Sequence, residues 1–389
     1  MRKWKDCILA DLGEIIGGAT PSTTNKNYYG GDIAWITPKD LSTLQGRFIH
    51  HGMRNITREG LNSCSARLMP KHSVLFTSRA PIGYVAITEN EVCTNQGFKS
   101  IIPNANTDYL FLYYLLVHNR NRIENMGSGT TFKEISGSVM KDITVSVPSD
   151  IAEQRTIAGI LGVLDDKIEN NKTINNHLEQ IAQAVFKKEF VSLSSLPIGW
   201  QQASLIDIAD YLNGLAMQKY RPTDDERGIP VLKIKELRQG GCDNNSELCS
   251  PNIKSEYIIQ NGDVIFSWSG SLLIDFWCDG ICGLNQHLFK VSSKKYDKWF
   301  YYAWIKHYLN HFIAVAADKA TTMGHIKRDE LIKTEVFIPT EEDYNRIGSL
   351  LNPIYDLIIS NRIENNQLAK TRNSLLPRLI SGELDISEI

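Results

Sequence analysis

The sequence has no apolar run near the roughly 20 residues that a bilayer-crossing helix needs. The start of the chain, "MRKWKDCILADLGEII", carries scattered charge and shows no cleavable signal pattern. The seven cysteines are an odd number spread over 389 residues, which is typical of free thiols in a reducing compartment. A net charge of −2 excludes a simple polycation that coats nucleic acid. The sequence therefore predicts a cytoplasmic protein.

The motifs of common catalytic sites are also missing. There is no phosphate loop of the form G-x-x-x-x-G-K-[ST], and "GSGTT" (127–131) lacks the lysine. The Asn-Pro-Pro-aromatic motif of adenine methyltransferases is absent, since "LNPIY" (351–355) has Ile in place of the second Pro. Cys278 and Cys282 have no second pair at zinc spacing and are interpreted as buried cysteines. The chain is expected to be non-catalytic and to bind no metal or cofactor, although a dispersed nuclease site stays open.

What the sequence does contain is a duplication that spans the whole chain. Trp4 corresponds to Trp200, and Asn95-Gln96 corresponds to Asn285-Gln286 at nearly the same offset. Four longer stretches match in the same order along the chain. Before the Asn-Gln pairs, "AWITPKDL" (34–41) matches "PVLKIKEL" (230–237), and "SVLFTSRAPIG" (73–83) matches "DVIFSWSGSLL" (263–273). After them, "GTTFKEI" (129–135) matches "ATTMGHI" (320–326), and "ITVSVPSD" (143–150) matches "TEVFIPTE" (334–341). Six matches in one order indicate two copies of one module.

Each copy is predicted to be an α/β (α+β) globule followed by a long helix. Short β-rich runs bounded by Gly, Asn and Pro come first, then an aromatic helix, then a last strand that ends at a proline. The aromatic residues of "YLFLYYLL" and "WFYYAWI" are interpreted as core, with base stacking as the alternative. The predicted segments are a first globule (1–150), a first spacer helix (151–191), a second globule (192–340), and a second spacer helix with a C-terminal tail (341–389).

The two long helices carry a heptad repeat that is typical of a coiled-coil seam. The first seam is Ile157, Leu161, Leu164, Ile168, Asn171, Asn175, Leu178, Ala182 and Val185, and the second runs at a constant offset from Ile347 through Asn361 and Asn365 to Leu375 and Leu379. About 33 helical residues span roughly 50 Å, so each helix needs a partner. The twin helix, lying antiparallel about an internal pseudo-two-fold axis, is the expected partner.

The asparagines at the middle of each seam are predicted to fix its register. An axis near positions 173 and 363 pairs Asn171 with Asn365 and Asn175 with Asn361. Buried amides of this kind lower stability but specify register and orientation. The alternative is that they lie on a solvated face of kinked helices. Two globules held apart by a rigid spacer suit the reading of DNA half-sites.

This organisation resembles the specificity subunit of type I restriction-modification systems along nearly the whole chain. The resemblance lies in "VPSDIAEQRTIAGILGVLDDKIENN" (147–171), in the regions 76–101 and 266–291, and in "LLPRLISGELDI" (375–386). The resemblance implies two recognition domains that each read half of a split double-stranded DNA target. It also implies docking of two methyltransferase subunits and of restriction/translocase subunits, so that S-adenosylmethionine, ATP and Mg are expected on those partners. The second lead-in reads "EEDYNRI" (341–347) instead of the usual Glu-Gln, which puts the helix-end contacts there in doubt.

Base reading needs donors and acceptors on loops that enter a groove. The candidates in the first globule are Lys39, Ser78, Arg79, Asn95, Gln96, Thr130, Thr131 and Lys133, and those in the second are Lys233, Lys235, Ser267, Trp268, Ser269, Asn285, Gln286, Thr321, Thr322, His325 and Lys327. The Asn-Gln pairs recur in both copies and could equally brace a loop. Arg79 and Trp268 stand at equivalent places with different chemistry, as positions that set specificity should. The threonines suit phosphate contacts or simple turns.

The leading hypothesis is a DNA-reading subunit of a restriction and methylation enzyme. A self-contained DNA-modifying or cleaving enzyme and a scaffold that joins protein-binding globules are the alternatives. The near-neutral charge predicts weak DNA binding by the chain alone, because few counterions would be released. The target sequence and the gap between its halves cannot be read from these residues, because no code links loop residues to bases.

Overall fold

The structure is a computed structural model, which describes residues 4–129, 133–318, 326 and 328–386. The chain forms two compact units. Unit 1 comprises residues 1–169 and 368–389, and unit 2 comprises residues 170–367. Both long helices are divided between the units, so each unit contains one globule, the first part of the helix that follows it, and the last part of the other helix.

Unit 1 is built on a five-stranded sheet with the strand order β2-β8-β5-β6-β4. Its elements are β1 (Trp4–Ile8), β2 (Gly13–Gly17), β3 (Tyr29–Ile36), α1 (Pro38–Ser42), β4 (Phe48–Ile49), α2 (Arg58–Asn62), β5 (Val74–Ser78), β6 (Ile82–Thr88), β7 (Val92–Thr94), β8 (Lys99–Pro103), α3 (Tyr109–Asn125), α4 (Gly137–Lys141), β9 (Thr144–Pro148) and α5 (Ile151–Phe186). Two further pairs stand beside the sheet, β1 with β9 antiparallel and β3 with β7 parallel.

The core of unit 1 forms between this sheet and the aromatic helix α3. Strand β5 is buried at every position, which explains its continuous apolar run. Helix α3 begins after Asp108, whose side chain accepts hydrogen bonds from the backbone of Leu110 and Phe111 at 3.0 and 2.9 Å. Phe111 and Tyr114 are almost fully buried. The interpretation of the aromatic run as core is confirmed for these two residues.

Unit 2 repeats this plan. Its elements are β10 (Gln201–Ser204), α6 (Leu205–Ile208), β11 (Asp210–Asn213), β12 (Ile229–Leu232), α7 (Ile234–Gln239), β13 (Leu248–Cys249), β14 (Ile258–Ile259), β15 (Val264–Ser267), β16 (Leu273–Phe276), β17 (Cys282–Leu284), β18 (Leu288–Ser292), α8 (Lys298–Asp318), α9 (Arg328–Lys333), β19 (Glu335–Ile338) and α10 (Glu341–Ile380). The sheet order β11-β18-β15-β16 corresponds to β2-β8-β5-β6, the antiparallel pair β10-β19 to β1-β9, and the parallel pair β12-β17 to β3-β7. The duplication is therefore one of topology as well as sequence.

The long helices run antiparallel in both units. In unit 1 the residues Ile157 and Leu161, near the start of α5, share one core with Leu379, near the end of α10. In unit 2 the residue Phe186, at the end of α5, shares a core with Ile347, near the start of α10. Helix α5 has 36 residues and α10 has 40. Two tandem α/β globules separated by two antiparallel helices are the fold class that the sequence predicts.

The entry into each long helix is held by one side chain that reaches back to the globule. In unit 1 the buried Gln154 accepts a hydrogen bond from the backbone of Asp108 at 2.9 Å and donates one to the carbonyl of Pro148 at 3.1 Å. The equivalent residue in unit 2 is Tyr344, whose hydroxyl accepts from the backbone of Asp297 at 2.7 Å. The departure from Gln in the second lead-in thus changes the side chain but preserves a contact with the start of the aromatic helix.

No helix among the described residues is both long enough and apolar enough to cross a membrane.

Candidate nucleic-acid interface

The four seam asparagines lie in unit 2 and form two hydrogen-bonded pairs. The Nδ2 of Asn171 donates to the Oδ1 of Asn365 at 2.9 Å, and the Nδ2 of Asn361 donates to the Oδ1 of Asn175 at 2.8 Å. These are the pairs that the heptad argument requires. Three of the four side chains are less than 9% exposed, which is incompatible with a solvated face.

These amides are not satisfied by each other alone. Asn175 also donates to the carbonyl of Ile358 at 3.2 Å, and Asn171 also donates to Glu364 at 2.7 Å. The Oδ1 of Asn171 is buried and has no hydrogen-bond partner among the described residues. An unsatisfied buried acceptor costs about 1–3 kcal/mol. The arrangement therefore gives up stability, as expected of polar groups that specify register, and the register role itself stays a prediction.

In unit 1 the Asn-Gln turn follows β7 and packs against the loop after β2. The Oδ1 of Asn95 accepts from the backbone of Gly97 at 2.9 Å, which closes the turn. A Cβ on Gly18 would overlap the backbone carbonyl of Asn95, so only glycine fits there. Asn95 therefore braces the loop, while the neighbouring Gln96 is exposed and hydrogen-bonded to the hydroxyl of Thr20.

Unit 2 builds the same frame after β17. The Oδ1 of Asn285 accepts from the backbone of His287 at 3.2 Å, and a Cβ on Gly214 would overlap the carbonyl of Asn285. The backbone of Gln286 donates to the carbonyl of Leu215 at 2.9 Å. Both asparagines thus have the geometry of the bracing interpretation, and the two glutamines next to them point toward solvent to different degrees.

The loops after β5 and β15 carry different side chains on this common frame. Arg79 is 36% exposed and its guanidinium lies 3.4 Å from Glu134. The expectation that Trp268 stands at the place of Arg79 is wrong by one position, because Ile135 donates to the carbonyl of Ser78 and the matching Ile326 donates to the carbonyl of Trp268, both at 2.9 Å. Trp268 donates from its indole nitrogen to Asn213 at 3.2 Å and packs on Phe289 with ring centroids 5.6 Å apart. The structure therefore places a cation in one loop and an aromatic ring in the other, as different half-site preferences would require.

Three candidate serines are buried and present no group to a ligand in this structure. The side chains of Ser78, Ser267 and Ser269 are at most 2% exposed. Ser267 donates to the carbonyl of Ser271 at 2.9 Å, and Ser269 lies 3.5 Å from the Nδ1 of His287. They stand at the strand ends, where the side chain points inward, and they serve the loop fold.

The remaining candidates divide into exposed lysines and undescribed residues. Lys39, in the first turn of α1, and Lys133 are both exposed. The residues Thr130, Thr131, Thr321, Thr322, His325 and Lys327 lie outside the described residues.

The structure brings four of the unit 2 candidates together around one cleft of about 470 Å³. Its walls include Lys233, Lys235, Asn285 and Gln286, together with Gln218, Arg221, Glu247 and His287, which the sequence reasoning missed. The carboxylate of Glu247 lies 2.6 Å from the ammonium of Lys233 and 3.5 Å from the guanidinium of Arg221. The hydrogen bond from Lys233 lowers the pKa of Glu247, so the carboxylate is ionised at neutral pH. Arg221, Glu247 and His287 lie on irregular loops and Gln218 lies in a short 3-10 helix, none of which gives a sequence pattern.

The cysteines and acids do not gather into a metal centre within the described parts of the chain. No group of three or more His, Cys, Asp or Glu side chains there could hold a metal ion. Cys278 and Cys282 are buried, as predicted, and burial raises the pKa of the Cys278 thiol to about 12. Such a thiol is a poor nucleophile at neutral pH.

Comparison with known proteins now assigns the family. The model of the type I restriction modification DNA specificity domain matches residues 1–180 and 197–370, one match per copy. The chain is 33% identical over 414 residues to the specificity subunit of the type I restriction enzyme MjaIX from Methanocaldococcus jannaschii, covering 100% of this chain and 95% of that protein. It is 21% identical over 470 residues to the HindI specificity subunit from Haemophilus influenzae, covering 99% and 100%.

A solved structure shares the fold. The crystal structure of a type I restriction-modification S subunit from M. genitalium superposes with a TM-score of 0.61 at 16% identity, covering 97% of this chain and 96% of that one. The chain belongs to the family of type I restriction modification DNA specificity domains, of which it carries two copies. Its function is DNA sequence specificity.

Proposed function

We propose that each globule reads one half of a split double-stranded DNA target, with unread base pairs between the halves. The observation that carries this proposal is the repeated loop frame with different side chains on it. Asn95 and Asn285 close the same turn in both copies, whereas the loop beside it carries Ser78-Arg79 in one copy and Trp268-Ser269 in the other. A constant frame positions the loops, and variable side chains give each copy its own base preference.

The antiparallel helices set the gap between the half-sites. The paired asparagines interrupt a mainly apolar seam, so a change in register would leave amide groups facing apolar side chains. A helical spacer of fixed register keeps two DNA-reading surfaces at one separation, and DNA repeats about every 34 Å on the same face.

The catalytic steps are assigned to partner subunits. The similar proteins are named as specificity subunits of type I restriction enzymes. The chain is therefore proposed to act in the cytoplasm as a non-catalytic subunit that binds DNA and docks two methyltransferase subunits and restriction/translocase subunits. Those subunits would bind S-adenosylmethionine, ATP and Mg.

The test is a protection experiment on selected DNA. Duplexes are selected from a randomised pool by the full chain assembled with its methyltransferase subunits, and protection is then mapped along the selected sequence. Two protected blocks of fixed bases with an unread gap are expected. A single continuous block, or methyl transfer by the chain alone when it is given DNA and labelled S-adenosylmethionine, would overturn the proposal.

A second experiment tests the spacer. One heptad is removed from each helix at positions that face each other across the seam. The tolerated gap between half-sites is expected to change, while the bases selected in each half stay the same, because each globule keeps its own loops. As a control, substitution of Lys167, an exposed position of α5, by Arg should change neither gap nor bases. Altered base preference in the shortened chain would show that the globules do not read independently.

A further inference from the structure

The cleft of unit 2 holds two cations around one carboxylate. Each oxygen of Glu247 faces a different cation, the Oε1 facing Lys233 at 2.6 Å and the Oε2 facing Arg221 at 3.5 Å. The three side chains are between 38% and 56% exposed. The group is therefore open to solvent and can exchange one anion for another.

The backbone of the sheet fixes the three residues in this arrangement. Glu247 directly precedes β13, and its carbonyl accepts a hydrogen bond from Val231 in β12 at 2.7 Å. Lys233 directly follows β12. The carbonyl of Tyr220, next to Arg221, accepts from Ser250 at 2.8 Å, just beyond the far end of β13. The three groups meet because neighbouring strands hold them, and not because long side chains happen to touch.

The cleft has the charge and the walls of a site for a DNA backbone. Its charged lining comprises three cations, Arg221, Lys233 and Lys235, and one anion, Glu247. The half-buried Gln286 and the exposed His287 also line the cleft, on the turn that Asn285 closes. In the alignment that pairs Trp4 with Trp200, Arg221 and Lys233 correspond to Asn25 and Thr37, so this charge arrangement belongs to the second copy.

A DNA phosphodiester resembles the Glu247 carboxylate in its charge and in the number of oxygens that can contact the two cations. It carries one negative charge and two non-bridging oxygens, as the carboxylate does. Building on the proposed function, we propose that Glu247 occupies the position of a DNA phosphate in the unbound protein, and that a phosphate of the half-site displaces it to contact Arg221 and Lys233. DNA that cannot place a phosphate there must break the ion pairs without replacing them, so Glu247 weakens binding to unrelated sequences.

The first measurement is the affinity of the full chain for a mixed-sequence duplex at low salt. Glu247→Gln is expected to bind this duplex about two- to fivefold more tightly than the wild type, since an exposed ion pair contributes up to about 1 kcal/mol. The matched control is Asp224→Asn, which removes the same charge from an exposed carboxylate near Arg221 in the sequence. Asp224→Asn should change affinity by less than Glu247→Gln.

The second measurement asks whether Glu247 acts through the two cations. Arg221→Ala and Lys233→Ala should each weaken binding and lower the slope of log affinity against log salt by about one, as the loss of one phosphate contact does. In the double variant Arg221→Ala/Lys233→Ala, the gain from Glu247→Gln should disappear. Binding to a selected target should gain less from Glu247→Gln than binding to the mixed-sequence duplex.

The outcomes separate this inference from the proposed function. A gain from Glu247→Gln that persists without Arg221 and Lys233, or that Asp224→Asn matches, would indicate a general charge effect and overturn the inference. Glu247→Gln binding no more tightly than the wild type would also overturn it, and the split-target proposal would stand. A wild-type chain that binds no duplex alone or with its methyltransferase subunits would overturn both.

Discussion

Unit 1 and unit 2 use different chemistry at the same place, where the globule meets the long helix. Asp165 of α5 and Tyr355 of α10 are equivalent residues of the duplication, and both are 5% exposed. Asp165 accepts a hydrogen bond from the hydroxyl of Tyr114 at 2.6 Å and pairs with Arg372. Tyr355 instead packs its ring against Tyr302, with centroids 5.3 Å apart.

The ionic joint of unit 1 extends into the globule through Arg47. This side chain is only 4% exposed, and its guanidinium contacts Asp166 and Glu169, the latter at 3.0 Å. Burial works against its charge, but the hydrogen bonds to Glu169 and Asp166 and the neighbouring Tyr114 and Glu169 together outweigh burial and raise the pKa of Arg47. For Tyr114, by contrast, burial itself raises the pKa of the hydroxyl, because burial disfavours its ionised form. The globule of unit 1 is thus fastened to α5 by groups that depend on one another.

The joint of unit 2 is mainly aromatic. Tyr302 stacks on Phe276 with centroids 4.1 Å apart, and Tyr355 lies 5.7 Å from the same Phe276 ring. Arg362 adds two ionic contacts, one with Glu179 at 2.8 Å and one with Asp275. Both copies thus keep a buried residue at this helix position, whereas the kind of contact that it makes differs between them.

The largest expected effect comes from breaking the ionic joint. Arg47→Ala should destabilise unit 1 by about 2–4 kcal/mol, because it removes a buried, packed side chain together with its hydrogen bonds to Tyr114 and Glu169. The measurement is denaturant unfolding with hydrogen exchange resolved by unit. Arg67→Ala, which breaks the exposed pair with Glu14, is the control and should have a much smaller effect, because both of its charged groups stay in water. Equal losses in both variants would show that the buried network adds nothing.

A somewhat smaller loss of stability is expected from one glycine substitution in each unit. Gly18→Ala and Gly214→Ala each place a methyl group against a backbone carbonyl, so each should cost about 1–3 kcal/mol and disorder its Asn-Gln turn. Selection from a randomised pool should then show loss of base preference in one block only. Gly159→Ala, on the open surface of α5, is the control and should be neutral or stabilising. Loss of both blocks from one variant would contradict independent reading.

The smallest expected effect concerns a turn before the central strand of each sheet. His72 and Gly262 are equivalent and have φ angles of 69° and 84°. Gly262→Ala should cost about 1 kcal/mol because L-residues avoid this region. His72→Gly should be nearly neutral, since relief of strain offsets the lost stack on Tyr109, whose ring centroid is 4.0 Å away. Both changes can be measured by denaturant unfolding, and a large loss in His72→Gly would show that the stack dominates.

The same histidine gives a pH dependence to unit 1. Burial, followed by the charge of Lys71, lowers the pKa of His72 below its ordinary value near 6.5. The unfolded chain therefore binds the proton more readily than the folded chain. The contribution of neutral His72 to the free energy of unfolding is fully present above pH 6.5, and it falls as the pH drops from there toward the pKa of His72 in the folded protein. His72→Gly should remove this part of the pH slope, and Gly262→Ala should leave the slope of unit 2 unchanged.

The sequence predicted the parts of the molecule that depend on periodicity. The constant offset between the long helices and their heptad spacing gave the seam residues, and symmetry about positions 173 and 363 gave the asparagine pairs. These features follow from the helix repeat alone, so neither the loops nor the rest of the core had to be known. The duplication likewise gave the correspondence of the two globules.

The parts of the molecule that depend on tertiary contacts could not be predicted from the sequence. Arg47 lies far along the chain from its acidic partners on α5, and no local pattern marks it as buried. Arg221 and Glu247 sit on loops that meet only because β12 and β13 pair. Ser78 and Ser267 were predicted to lie on loops that enter a DNA groove, but both side chains are buried, because the sheet sets their inward direction.

One feature of unit 1 bears on the order in which the chain can fold during synthesis. Its core includes Leu376, Leu379 and Ile380, which are made only after the entire second globule has followed the first. A ribosome that has finished the first globule leaves this apolar surface uncovered while the second is translated, at about 5–20 residues per second. The core of the first globule therefore stays incomplete until the end of α10 has been synthesised and packs against it.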